Sequence, residues 1–199
     1  MESIIPRQQT GSQSDITHTR RFKTFAATAN KFSQAKEKLL RVFEWDQVCG
    51  NAKNVFTLTD ENGEPVERPV QKGDHFRIDI PGPGTIGGNG YDWVRVEEID
   101  IYTDPSNYVE SCAIRVRPAY NPTEHNEHTS HFFNEAATST FRVSRRGTNI
   151  TAAVHGRNEM PNTRQDHLID AVRNSLVAVM AIMGLSGTQW KKLVNGLLE

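Results

Sequence analysis

The stretch PNTRQDHLIDAVRNSLVAVMAIMG (161–184) decides the fold. Leu168, Ile169, Val172, Leu176, Val179, Met180 and Met183 recur every three or four positions, which places a broad apolar stripe along one helix. Thr163 and Asp166 have the spacing of a capping box at its start, and Gly184 reads as its stop. Ser186 and Gln189 then open a second, short helix carrying Trp190, Leu193, Val194 and Leu197, so that 161–199 reads as a helical hairpin. A stripe this wide has to be buried against something flat and apolar.

The strands upstream supply that surface. HFRIDI (75–80) alternates, with Phe76, Ile78 and Ile80 on one face and His75, Arg77 and Asp79 on the other. In YDWVRVEEIDI (91–101) the alternation slips at Glu97-Glu98, where an extra residue predicts a β-bulge and keeps Ile99 and Ile101 on the apolar face. SCAIRVR (111–117) turns Cys112, Ile114 and Val116 inward. TSTFRVSR (138–145) and NITAAVH (149–155) flank Arg146-Gly147-Thr148 and predict a hairpin, with Phe141 and Val143 inward on one arm and Ile150, Ala152 and Val154 on the other. VFTLT (55–59) ahead of the Asn62-Gly63 turn adds a shorter strand.

Before the strands lies a helix marked by Phe32, Ala35, Leu39, Val42 and Phe43, ending near Gly50. RFKTFAATA (21–29) reads as a short first strand. Residues 1–20, rich in Gln, Ser and Thr, read as a flexible polar arm in front of one α+β domain over 21–199.

Composition narrows the class. The chain has 199 residues, of which 36% are hydrophobic and 24% charged, ordinary for a globular protein. No run approaches the roughly 18 apolar residues of a membrane span. The stretch MESIIPRQQTGSQSD (1–15) lacks the basic start and apolar core of a secretory signal. Cys49 and Cys112 are too few for a disulfide framework, and the expected location is cytoplasmic. The net charge of −1 is unevenly spread. Nine Lys/Arg face five Asp/Glu in 1–53, six face fifteen in 54–136, and eight face four in 137–199. This segregation suits head-to-tail association of copies or local neutralisation inside the domain. No concentrated basic face points to nucleic acid.

Three motifs bear on chemistry. Gly82-Pro83-Gly84-Thr85-Ile86-Gly87 matches the dinucleotide pattern in letters, but it leads into another strand and not a helix, so no phosphate site is expected. His125, His128 and His131 are weak metal candidates, with Glu124 and Glu127 beside them. Neither H-E-x-x-H nor a cysteine pair backs them, and a solvated histidine-rich loop is the expectation. His155, with Arg157, Asn158 and Glu159 after the last strand, forms a weak acid–base set without a nucleophile elbow. No cofactor is called for.

The order of strand, helix, antiparallel meander and long amphipathic helix, with GDHFRIDIPGPG (73–84) followed by WVRVEE (93–98), resembles the helix-grip, or START-like, superfamily. The resemblance covers about residues 21–185. It implies a curved antiparallel sheet of about six to eight strands packed against the long C-terminal helix, here with a short terminal helix added. It also implies an apolar ligand in the gap between them, faced by Phe76, Ile78, Ile114, Phe141, Leu176, Val179, Met180 and Met183. The second reading is an assembly subunit, carried by the polar arm, the segregated charge and the extra helix.

Overall fold

Alternating side chains give each strand one apolar face, and pairing in register adds those faces into a single wall. In the computed structural model, which describes residues 3–51, 55–79, 89–124, 131–160 and 176–199 (side chains in the last segment from Gly187 onward), seven strands pair antiparallel. They are β1 (Ser12–Arg21), β2 (Phe56–Thr59), β3 (His75–Ile78), β4 (Asp92–Asp104), β5 (Val109–Pro118), β6 (Thr138–Arg146) and β7 (Asn149–Glu159). Their order across the curved sheet is β1-β7-β6-β5-β4-β3-β2. Helix α1 (Phe25–Leu40), a 3-10 turn (Val42–Glu44), helix α2 (Trp45–Cys49) and helix α3 (Leu176–Leu198) cover its inner face.

The expected inward residues are inward. Cys112, Ile114 and Val116 on β5, Phe141 and Val143 on β6, and Ile150, Ala152 and Val154 on β7 are all buried. The bulge falls where the slip predicts it: register shifts between Val96 and Glu98, with Arg115 opposite Glu98 and Val116 opposite Val96. On the outer face Arg115 and Arg117 both reach Glu97, neutralising part of the acidic middle within the sheet itself.

Five expectations need correction. The segment read as a polar arm contains β1, which pairs with β7 from Ser12 opposite Glu159 to Arg21 opposite Asn149. Its single apolar residue, Ile16, leaves almost no pattern, because its place in the sheet rests on backbone hydrogen bonds. Even Ile4 ahead of it is buried, and its carbonyl accepts from Arg115 Nη1 at 3.1 Å. Phe25–Ala29, read as strand, opens α1, since Thr24 caps the helix by accepting from the Ala27 amide at 3.1 Å. The long helix does not stop at Gly184 but runs on to Leu198, so no separate terminal helix follows. An interior glycine costs about 1 kcal/mol, and the burial of Leu193, Val194, Leu197 and Leu198 outweighs it. His75, expected on the open face, is buried, because residues 119–123 fold over that end and set Tyr120 beside it at 6.0 Å between ring centroids. Ile101 is 58% exposed, lying where β4 extends past the helices that cover its earlier residues. The capping box at Thr163 and the Gly82–Gly87 loop lie outside the described residues.

Trp45 fills the centre. Its ring meets Phe56 at 5.4 Å, Phe76 at 5.7 Å and Phe141 at 4.8 Å, and its indole N–H donates to the Leu39 carbonyl at 3.1 Å. The last turns of α3 press on α2 at Gly196, where a β-carbon would lie 1.8 Å from the Val48 carbonyl oxygen. Lys38 donates to the Gly196 carbonyl at 3.0 Å and Arg20 to that of Leu198, placing two cations at the negative end of the helix. Gly196→Ala therefore has to separate two backbones. Chemical denaturation is expected to show a loss of about 2 kcal/mol or more, and an unchanged midpoint would show that the contact yields freely.

Candidate functional site

The aromatic cluster fills only part of the space under α3. Toward Gly187 the wall opens into a cavity of about 70 Å³. Ser14 and Ile16 of β1, Ile78 of β3, Val94 of β4, Val116 of β5, and Ser139 and Phe141 of β6 line it. Gly187 and Trp190 close it from the helix, Glu159 stands at the end of β7, and His131-Phe132-Phe133 close the remaining side. The residues from β1, β3, β4, β5 and β6 occupy inner positions by alternation, which is how a curved sheet concentrates side chains from several strands on one space.

The closing segment is held by a buried acid. Asp92 accepts from the Phe132 amide at 2.9 Å, and burial pushes its carboxyl up from the ordinary 3.8 to about 7. His131 is buried as well, its ring stacked on Phe132 at 4.6 Å and its Nδ1 accepting from the Phe133 amide at 3.0 Å. Burial drives its imidazole down to about 3, so it stays neutral. The histidine loop is therefore not wholly solvated, since His131 belongs to the interior. His125 and His128 lie outside the described residues. No group of three metal-ligating side chains occurs among the described residues.

Of the eight residues expected at the gap, Ile78 and Phe141 line the cavity. Phe76 and Ile114 lie in the solid core, both 0% exposed, with Phe76 against Trp45. Leu176, Val179, Met180 and Met183 fall on α3, and their side chains are outside the described residues. His155 points to the outer face, where Asp15 accepts from it and, at 2.8 Å, from Arg157 Nη2. Burial pushes the Asp15 carboxyl up, but the bonds from His155 and Arg157 outweigh it and hold the group below its usual range. His155 is thus separated from the cavity by the thickness of the sheet.

Glu159 was grouped with His155 in the sequence, yet the two lie on opposite faces. Asn158 between them has φ 56°, and the pairing shifts between Ser12 and Ser14, so β7 carries an extra residue there. The bulge turns Glu159 inward. Its Oε1 accepts from Ser14 Oγ at 3.1 Å. Gly156 leaves the room: a β-carbon there would lie 2.1 Å from Oε1 and 2.4 Å from Ser14 Oγ. The result is a largely apolar chamber with one carboxylate, two hydroxyls and the His131 imidazole in its wall, the composition of a binding cavity in which a few polar groups fix orientation.

The strand order and the helix across the inner face are consistent with the helix-grip resemblance. No protein-family model and no curated protein matches the sequence. Among solved structures, a hypothetical protein from Helicobacter pylori superposes with a TM-score of 0.50 at 13% identity, over 95% of this chain and 87% of its own. A major latex-like protein from Panax ginseng gives a TM-score of 0.34 at 12% identity, over 87% of this chain and 96% of its own. Norcoclaurine synthase from Thalictrum flavum also gives 0.34, at 7% identity, over 95% and 94%. At 13% identity the first likeness concerns the fold alone, and the other two, below a TM-score of 0.50, add nothing to it.

Asp92 gives a measurable pH signature. Its folded pKa of about 7 lies above the unfolded value of about 3.9. The folded state therefore holds the proton longer, and this group's contribution to stability falls as pH rises from about 4 to about 7. Asp92→Asn keeps an acceptor for the Phe132 amide and removes the titration. Urea unfolding is expected to find it more stable than the parent at pH 8, by on the order of 1 kcal/mol or more, with the gap closing toward pH 4. A gap independent of pH would exclude Asp92 as its source.

Proposed function

We propose that the protein binds a small, largely apolar molecule in the cavity between the sheet and α3. The observation that carries this reading is the chamber itself: Ile16, Ile78, Val94, Val116, Phe141 and Trp190 leave about 70 Å³ unfilled beneath α3. Packing that leaves room for more than one water forfeits dispersion contacts, and an occupant of matching shape restores them. The neighbouring aromatic cluster makes the wall rigid, so that less ordering is left to be done on binding. Leu176, Val179, Met180 and Met183, on the helix that closes the chamber, belong to the same proposal, as residues that would extend the apolar lining.

The features behind an assembly role have uses within the fold. The polar segment is an edge strand, the terminal turns belong to α3, and part of the charge is paired across Arg115, Arg117, Glu97 and Glu98. Cys49 and Cys112 are free and buried, and burial raises their thiols to about 12 and about 11. Two unpaired interior thiols support a reducing, cytoplasmic setting. No helix among the described residues is long and apolar enough to cross a membrane.

The test uses toluene as the simplest apolar ring. Titration of the full, isotope-labelled chain is expected to give saturable amide shifts at Ile16, Val94, Val116 and Trp190. Ser139→Phe places a ring in the chamber from a half-buried wall position, and it is expected to weaken toluene at least tenfold with the near-ultraviolet dichroism retained. Shifts that never saturate, or that persist in the Ser139→Phe protein, would overturn the reading.

A further inference from the structure

The cavity wall contains a group that an apolar ligand alone does not explain. Glu159 is 9% exposed, and its Oε2 is buried with no hydrogen-bond partner among the described residues. Leaving a carboxylate oxygen unpaired in an apolar site costs free energy that a neutral side chain would not. Three separate features nevertheless place it there. The extra residue in β7 turns it inward, since strict alternation from Val154 would put Glu159 on the outer face with His155 and Arg157. The bulge rests on Asn158 at positive φ, a conformation uncommon outside glycine. Gly156 vacates the volume that the carboxylate occupies.

The chain holds this arrangement firmly. The Asn158 side-chain oxygen accepts from the amides of Gln9 at 2.8 Å and Thr10 at 3.2 Å, while its own amide donates to Gln8 Oε1 at 2.9 Å. The segment before β1 thus clasps the bulge. Arg157, the nearest cation in sequence, is occupied elsewhere: it donates to Asp15 and to the carbonyls of Ser14 and Gly156. Ser14 donates to Oε1 and the Ser12 hydroxyl also lies against the carboxylate, while Oε2 keeps no partner of hydrogen-bond geometry and is open to an incoming donor.

Resting on the cavity reading above, we propose that Glu159 anchors a protonated amine, so that the ligand is a small apolar body ending in an ammonium group. An ammonium supplies both the missing donor and the compensating charge, whereas a hydroxyl supplies only the donor. Burial pushes the Glu159 carboxyl up against the opposing bonds from Ser14 and Ser12 and the charge of Arg157, and a bound cation would draw it back toward the ionised form. The carboxylate is then a binding device whose desolvation is offset only when the ligand is present, as with other site residues that cost stability in the empty protein.

Benzylamine, benzyl alcohol and toluene share one ring and differ only in the end group, so they separate the anchor from the chamber. Titrated into the full chain at neutral pH, benzylamine is expected to bind at least tenfold more tightly than toluene, with benzyl alcohol between them. Glu159→Gln is expected to weaken benzylamine at least tenfold more than it changes toluene and to raise Tm in the absence of ligand. A purely structural role for Glu159 would move all three ligands together. Should Glu159→Gln fail to fold, Glu159→Asp withdraws the carboxylate by one methylene and is expected to weaken benzylamine alone. Equal affinity for the three ligands, a preference for benzyl alcohol, or undiminished benzylamine binding in the folded variants would overturn the anchor and leave the chamber standing. Saturable binding of none of the three would overturn the chamber and the anchor with it.

Discussion

The fold depends on the aromatic cluster around Trp45, where α2, the inner face of the sheet and the last turns of α3 meet. Its ring contacts Phe56, Phe76 and Phe141, and Trp190 from α3 meets Phe56 and Phe141 in turn. Large rings give much buried area with few rotatable bonds, so they fix the distance between helix and sheet as well as holding them together. The rings fill the interface around Trp45, and a cavity of about 70 Å³ is left beside them toward Gly187. The chamber is therefore a by-product of where the rings stop.

Much of this was legible in the sequence, and the reasons differ by element. The β6–β7 hairpin and the slip at Glu97-Glu98 are readable because a half-buried strand repeats its pattern every second residue. β1 is not, because Ser12–Arg21 carries one apolar residue and owes its place to backbone pairing with β7, which leaves no mark on side-chain choice. The start of α1 was hidden behind Phe22 and Phe25, although Thr24 followed by Ala26 and Ala27 is a readable cap. Gly184 misled for a different reason. A glycine's local preference is small beside the burial of the turns that follow it, and burial is a tertiary quantity.

The candidate site was half legible. Ile78 and Phe141 followed from alternation alone, whereas Phe76 and Ile114 shared the pattern and ended in the solid core. Alternation reports which face a residue takes and not how far along the sheet the filling extends. Glu159 was visible as a polar residue at the end of a strand, but its face depends on the extra residue at Asn158. Reading straight through that position puts it with His155. An asparagine before a carboxylate at a strand end, with glycine two residues earlier, is the signal that would have raised the possibility of a bulge.

The bond from Arg20 to the Leu198 carbonyl spans 178 positions, and β1 pairs with β7 over a separation of about 140. The first strand thus has no sheet to join until the last hairpin exists, and no helix end to cap until α3 is made. Contacts this distant in sequence are slow to form, because the chain entropy of closing the loop is lost before the contact compensates for it. On a ribosome β1 would emerge first but stay unpaired while the meander from β2 to β7 forms, with its inner face open. The edge strand and the closing helix would arrive from opposite ends of the chain, so completion of the sheet and covering of the cavity fall into the same late step of folding.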